Sequence, residues 1–240
     1  MAHGANLEQP NGSFKIAVER VGSNMTTIKV LIADDHDLMR RGIKTIVEAK
    51  KGWEICAEAQ TGVQAVAKAK ELKPDIAILD ITMPELNGLE AAKRIQKVSE
   101  NTEILILSMH YSDELIREVV EAGIRGYIVK SDSDRDLSIA LDNLANHKPF
   151  FAPRVTEVIL NSSSGSISPR AESPRSRVTS REREIIQLLS EGKSSKEVAA
   201  LLNISVKTAE THRANIMRKL QMHTVSELVR YAVRNRIIEA

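Results

Sequence analysis

The chain has 240 residues, 42% hydrophobic and 28% charged, enough to bury the cores of two ordinary domains. Its formal net charge of +2 hides an imbalance: residues 175–240 carry 13 Lys/Arg against 7 Asp/Glu, while the residues before them hold 21 basic and 25 acidic groups, so a polyanion is expected to meet only the C-terminal part. A single cysteine, Cys56, excludes an intramolecular disulfide; with no apolar run near the ~20 residues of a membrane span and no signal-peptide core, a reducing, cytoplasmic setting without a membrane partner is expected.

Residues 1–27 show no clear period and read as a disordered N-terminal extension. Met25, just before the first apolar run, marks a candidate start of the natural product. From residue 28 to 148 short apolar runs alternate with helical stripes. Strands are expected at Ile28–Ala33, Trp53–Ala59, Asp75–Asp80, Glu103–Ser108 and Gly126–Val129. Between them lie stripes such as Leu38, Ile43, Ile46, Val47 and Leu115, Val119, Val120. Most of the strands are almost continuously apolar, as they are when helices cover both faces of a parallel sheet. The pattern predicts a five-stranded, doubly wound parallel α/β domain.

Residues 149–177 read as a linker. A short helix is expected at about Pro153–Leu160, and Asn161–Arg177 is rich in Ser, Pro and Arg. Residues 178–240 form a small all-α domain. Thr179…Glu182, Ser194…Glu197 and Thr224…Glu227 each fit the S/T-x-x-E capping box. Gly192 ends one helix and Asn203-Ile204-Ser205 breaks the next, which gives four helices at about 180–190, 195–202, 206–220 and 225–235.

Chemistry-bearing residues close the apolar runs. Asp34-Asp35 follow the first, Asp80 ends the third, Ser108 the fourth, and Lys130 follows the fifth. In parallel sheets, ligands collect at the carboxyl ends of the strands. The four positions therefore become one site of three carboxylates, a hydroxyl and an amine, suited to a divalent cation such as Mg²⁺ (or Mn²⁺) and a phosphoryl group. Asp34, Asp35 and Asp37 have a plainer reading as caps of the helix that starts near Leu38. In the C-terminal domain the second and third helices form a helix-turn-helix pattern. Ala209, Ile216 and Leu220 mark the core side of the third helix; Lys207, Glu210, Thr211, Ala214 and Arg218 lie opposite, flanked by His212, Arg213 and Lys219, which suit phosphates.

Residues 28–148 resemble the receiver domain of two-component response regulators, on Asp34-Asp35, Asp80, Met83-Pro84, Ser108, Tyr127 and Lys130. The resemblance implies a flavodoxin-like fold with Asp80 as phosphoacceptor and a sensor histidine kinase as partner. It further implies Asp35, Asp80 and the Thr82 backbone carbonyl as direct Mg²⁺ ligands, with Asp34 acting through water. Ser108 and Tyr127 would be the switch pair, and Thr82 and His110 would tune hydrolysis. Residues 178–236 resemble the LuxR-type effector domain of the NarL/FixJ group, on Thr179–Glu184, Lys196–Ala199 and Ser205–His212. This implies a sequence-specific regulator that binds double-stranded DNA as a homodimer. Its contacts would come from Lys207, Thr208, Glu210, Thr211, His212, Arg213, Ala214, Arg218 and Lys219, and its dimer face from Val225, Leu228, Val229 and Ala232. It also implies that the resting receiver obscures the recognition helix. DNA binding without phosphorylation is an alternative. A Mg²⁺-dependent phosphatase is another, disfavoured because Thr82 stands where an acid/base carboxylate would be needed two residues after Asp80.

Overall fold

The computed structural model describes residues 27–109, 111–131, 134–152, 155–157 and 178–238. The N-terminal extension, His110 and most of the linker lie outside them. Of the helix expected near Pro153–Leu160, only residues 155–157 are described, and they are helical.

Six parallel strands form one sheet: β1 Ile28–Ala33, β2 Trp53–Ala59, β3 Ile76–Asp80, β4 Glu103–Ser108, β5 Gly126–Val129 and β6 Phe150–Phe151, in the order β2-β1-β3-β4-β5-β6. Five strands were expected. The sixth pairs Gly126 with Phe150 and Tyr127 with Phe151; at two residues it is too short to show an apolar period, and it extends the sheet past residue 148. Crossover helices α1 Asp37–Glu48, α2 Gly62–Leu72, α3 Gly88–Val98, α4 Asp113–Glu121 and α5 Asp134–Ala145 cover the faces. Side chains of α1 and α5 (Ile43, Val47, Leu137, Leu141) bury one face of the sheet. Side chains of α2, α3 and α4 (Ala65, Leu89, Ile95, Ile116, Val119) bury the other. This double cover explains why β3 is buried at every position.

The chain leaves β1 towards β2 on one side and returns at β3 on the other. The crevice above β1 and β3 is therefore the topological switch point. The loop after β3 is clamped there by two glycines that begin helices. A Cβ on Gly88 would stand 1.9 Å from the Asp80 carbonyl oxygen, and one on Gly62 1.9 Å from that of Leu86. The Asn87 side chain caps α3 by accepting from Glu90 N–H at 3.0 Å.

The second unit holds α6 Ser180–Ser190, α7 Ser195–Leu201, α8 Val206–Lys219 and α9 Val225–Arg234. The three capping boxes read from sequence are all formed, and Ser205 caps α8. Gly192 takes φ 85° just after α6, and Asn203 takes φ 51° in the turn between α7 and α8. Ile185, Ile186, Val198, Ala209, Ile216 and Leu228 close a core of their own.

Gly88→Ala is expected to destabilise the sheet unit by about 1–3 kcal/mol, because the added methyl must displace the backbone that carries Asp80. Trp53, the chain's one tryptophan, lies in β2, so denaturant unfolding followed by its fluorescence reports this unit. An unchanged midpoint would show that the loop has room to move.

Candidate phosphoacceptor site and nucleic-acid interface

Register places the site. Asp80 pairs with Leu107, Ser108 with Val129, and the Lys130 N–H donates to the Ser108 carbonyl at 2.7 Å. Asp34 follows β1 directly, its N–H bonded to Ala59 of β2. The residues predicted from four distant strand ends thus meet above adjacent strands. Asp34 and Asp80 are fully buried, as is most of Ser108, and Asp35 lies at the solvent edge.

Lys130 Nζ stands 2.8 Å from Asp34 Oδ2 and 3.0 Å from Asp80 Oδ1. These are charge contacts: neither oxygen receives a hydrogen bond at a normal angle. Thr82 Oγ1 donates to Asp80 Oδ2 at 3.3 Å. Burial pushes the Asp80 carboxyl up to about 6; the Lys130 ammonium opposes the rise and the Asp34 charge adds to it. Burial alone would lower the Lys130 ammonium, yet the two carboxylates hold it above its ordinary value.

The aspartates do not cap α1. Its N-cap is His36, whose side chain makes no capping bond. Asp34 Oδ1 instead accepts the His36 N–H at 2.8 Å, closing a tight turn. Arg40 was not legible as a site residue. It is nearly buried on the inner stripe of α1 with Ile43 and Val47. Its guanidinium donates to the Asp34 carbonyl at 2.8 Å, pairs with Asp37, and approaches Glu58 at 3.6 Å. A charged residue inside an apolar helical stripe was the signal to find it. One ligand atom each from Asp34, Asp35, His36 and Asp80 lies within 4.8 Å of the others. That set, with two buried carboxylates sharing one ammonium, fits a divalent cation. Both oxygens of Asp34 are already engaged, which suits an indirect role; Asp35 is open to solvent and suits a direct one.

Tyr127 is fully buried, its ring packed within the core between the sheet and α2–α4.

On α8, Lys207, Thr208, Glu210, Thr211, Ala214 and Arg218 are exposed, and His212 and Arg213 partly so. Thr211 Oγ1 bonds back to the Lys207 carbonyl, and Thr208 is tied to the Ser205 cap. Lys219 has a protein partner. It pairs with Glu182 at 2.6 Å, so its ammonium supports the α6 cap. On α9, Leu228 and Ala232 are buried in the domain core and offer nothing to a partner. Val225 is exposed and Val229 partly so. Of the four residues that the resemblance names for the dimer face, Leu228 and Ala232 therefore serve the domain core, and Val225 and Val229 remain accessible.

The two units touch through α6 and through Arg236, which donates to the Tyr111 carbonyl at 3.2 Å, not through the recognition stripe. Gln187 is almost wholly buried: its Nε2 donates to the Met83 carbonyl at 2.7 Å and its Oε1 accepts from Asn87 N–H at 2.9 Å. Glu191 accepts from Glu85 N–H, and burial raises its carboxyl above the ordinary range. Arg94 pairs with Glu184, and Arg183 with Glu118 at 2.9 Å. The expected covering of the recognition helix is therefore not what these contacts make, since its outward side chains stay exposed.

With chelator present, the raised Asp80 value has a definite consequence. Between pH about 4 and about 6 the folded chain holds a proton there that the unfolded chain has released, so this group's contribution to stability falls as pH rises through that window. The loss amounts to on the order of 2–3 kcal/mol above it. Asp80→Asn should be more stable than wild type at pH 7 and lose that advantage towards pH 4, read by Trp53 fluorescence in denaturant. A constant difference across the window would refute this cause.

Comparison with known proteins agrees with this geometry. The family model described as the response regulator receiver domain matches residues 30–142, and that of the luxR family of bacterial regulatory proteins matches 176–232. The response regulator protein VraR of Staphylococcus aureus is 33% identical over 213 residues, covering 89% of this chain and all of that protein. Among solved structures, the Salmonella typhimurium RcsB response regulator aligns with a TM-score of 0.54 at 25% identity, covering 85% of this chain and 98% of that one. A LuxR-family two-component response regulator from Aurantimonas sp. SI85-9A1 aligns at 0.54 and 28% identity, over 57% of this chain and 99% of that one. The chain belongs to the two-component response regulators that join a receiver domain to a LuxR-type DNA-binding domain.

Proposed function

We propose that this response regulator controls transcription by binding DNA, and that a sensor histidine kinase sets its activity by phosphorylating Asp80. The convergence of Asp34, Asp35, Asp80 and Lys130 at the switch point carries this reading. RcsB, at 26% identity in one structure, is described there as showing conformational dynamism for DNA interaction; the exposed α8 stripe is the surface that this proposal assigns to DNA here. No helix among the described residues is long and apolar enough to cross a membrane.

The chemistry follows from the residues. At neutral pH Asp80 is mostly ionised and, with its raised pKa, more basic than an ordinary carboxylate. One carboxylate oxygen attacks phosphorus in line; the new O–P bond forms as the bond to the donor's nitrogen breaks, and the departing imidazole keeps that electron pair. A divalent cation held by Asp35, Asp80 and the Thr82 carbonyl, with Asp34 behind, supplies charge neutralisation when bound. Lys130, now sharing two carboxylates, turns to the phosphoryl oxygens, and Ser108, at the end of the next strand, donates its hydroxyl to the phosphoryl group. The Met83–Asn87 segment, three to seven residues past the phosphoacceptor, is the one gripped by Gln187 and Glu191. Adjustment of that segment around a phosphorylated Asp80 loosens α6 and frees the DNA-binding unit to pair through Val225 and Val229 as a homodimer on DNA.

Incubation with acetyl phosphate and Mg²⁺ should add one phosphoryl group by intact mass, and none to Asp80→Asn. Labelling of that variant at the wild-type level would end the assignment.

On α8, Glu210 and Thr211 are placed to read bases, Glu210 as an acceptor from cytosine N4 and Thr211 through its methyl. Glu210→Ala should change the selected sequence, at a cost of ~1–3 kcal/mol on the cognate site, whereas Arg218→Ala should keep the consensus and lower the salt slope by about one. Site selection and salt titration on both variants decide it; an unaltered consensus for Glu210→Ala would show that this carboxylate reads no base.

A further inference from the structure

No step above uses His36, yet its imidazole stands inside the acidic cluster. The turn closed by its own N–H on Asp34 Oδ1 brings the ring back over the carboxylates. Its Nδ1 lies 2.8 Å from Asp35 Oδ1 and 3.3 Å from Asp34 Oδ1. The four ligand atoms of Asp34, Asp35, His36 and Asp80 fall within 4.8 Å of one another. Ligands on opposite sides of an ion with bonds of about 2.1 Å stand about 4.2 Å apart, so Asp35, His36 and Asp80 need to draw in by only about half an ångström to bind directly, with Asp34 behind them. Independently, Asp34 Oδ2 and Asp80 Oδ1 are buried and share the single ammonium of Lys130, so two buried carboxylates, with Asp35 beside them, meet one positive charge. That deficit calls for a cation at this place.

The imidazole decides which cation. Mg²⁺ is hard, takes oxygen ligands and keeps its waters, so a neighbouring nitrogen adds little to it. Imidazole nitrogen suits the later divalent transition ions, whose affinity for mixed N/O sites rises along the series towards copper. We infer that His36 is the selectivity residue of this receiver's metal site, adding a nitrogen ligand that makes it prefer ions such as Co²⁺ and Zn²⁺ over Mg²⁺. This rests on the proposed reading of the cluster as a cation site. His36 is about half exposed, so the ring can swing from its carboxylate contacts onto the ion without disturbing the core.

The full chain should be titrated at fixed pH with CoCl₂ and, separately, MgCl₂ by calorimetry, as wild type, His36→Asn and Asp35→Ala. Proton NMR should follow paramagnetically shifted imidazole signals in the Co²⁺ arm. The inference expects wild type to bind Co²⁺ at least ~10-fold more tightly than Mg²⁺. His36→Asn should lose about 10-fold or more in Co²⁺ affinity and the shifted imidazole signal, with Mg²⁺ affinity within about twofold. Asp35→Ala should weaken both ions. An equal Co²⁺ to Mg²⁺ ratio in wild type and His36→Asn, or an imidazole signal that survives the substitution, overturns the inference and leaves the cation site standing. Failure of wild type to bind either ion would instead remove the cation site itself. Circular dichroism of His36→Asn guards against a folding artefact, and His36→Gln, which also lacks the imidazole, should repeat the loss.

Discussion

Crowding of negative charge under low solvent access is the constraint on which this molecule turns. Asp34 and Asp80 are buried beside each other with one ammonium between them. An isolated buried carboxylate would cost several kcal/mol, and the pair persists because its surroundings are held in place. Arg40 anchors the Asp34 carbonyl from beneath. The backbone N–H of His36 occupies one Asp34 oxygen, and Gly88 lets the loop after Asp80 pass hard against its carbonyl. The arrangement leaves an electrostatic demand for positive charge, which is the physical basis of the cation and phosphoryl roles proposed for it.

That demand is connected to the rest of the chain through very little backbone. Between Asp80 and the first turn of α3 the chain runs through Glu85 at φ 66°, a conformation uncommon for a side-chain-bearing residue. The Glu85 N–H is held by Glu191, its side chain by Thr61, and the residues on either side by one glutamine amide, Gln187. A single amide that accepts from one peptide and donates to another reads the relative position of the two. Small changes in the loop therefore alter both bonds at once. The outer ion pairs, Arg183 with Glu118 and Arg94 with Glu184, are more exposed and set orientation more than strength.

Much of this was legible in the sequence, for physical reasons that also mark where legibility ends. Runs such as Ile76-Ala77-Ile78-Leu79 state a strand covered on both faces, and an acid at the end of such a strand has one plausible place to go. Capping boxes are local and were read without error. What escaped depends on distance in sequence. β6 is two residues long and exists only because β5 offers an open edge. Arg40 looked like any helix arginine until the turn after β1 gave its guanidinium a carbonyl. Gln187 had no signal at all, because its partners lie about a hundred residues away. Leu228 and Ala232 share an apolar stripe with Val225 and Val229, and periodicity cannot say which part of a stripe meets the core and which is left for a partner.

The contact between the halves also changes what control of the DNA-binding unit must mean. If the receiver covered α8, release would be a matter of uncovering bases' readers one molecule at a time. The α8 stripe is exposed while α6 is held, so a single molecule can already present its recognition side chains to a groove. What docking of α6 restricts is the position of this unit relative to the receiver, and hence the relation between two such units in a dimer. A half-site is short and supplies modest affinity, whereas two linked half-sites act at the effective concentration set by their geometry. On the proposed function, fixing α6 against the loop after Asp80 would deny that geometry without covering the α8 stripe, and loosening it would restore the second half-site. Control of this kind acts on pairing in register along the duplex, which is the quantity to which a dimeric helix-turn-helix protein is most sensitive.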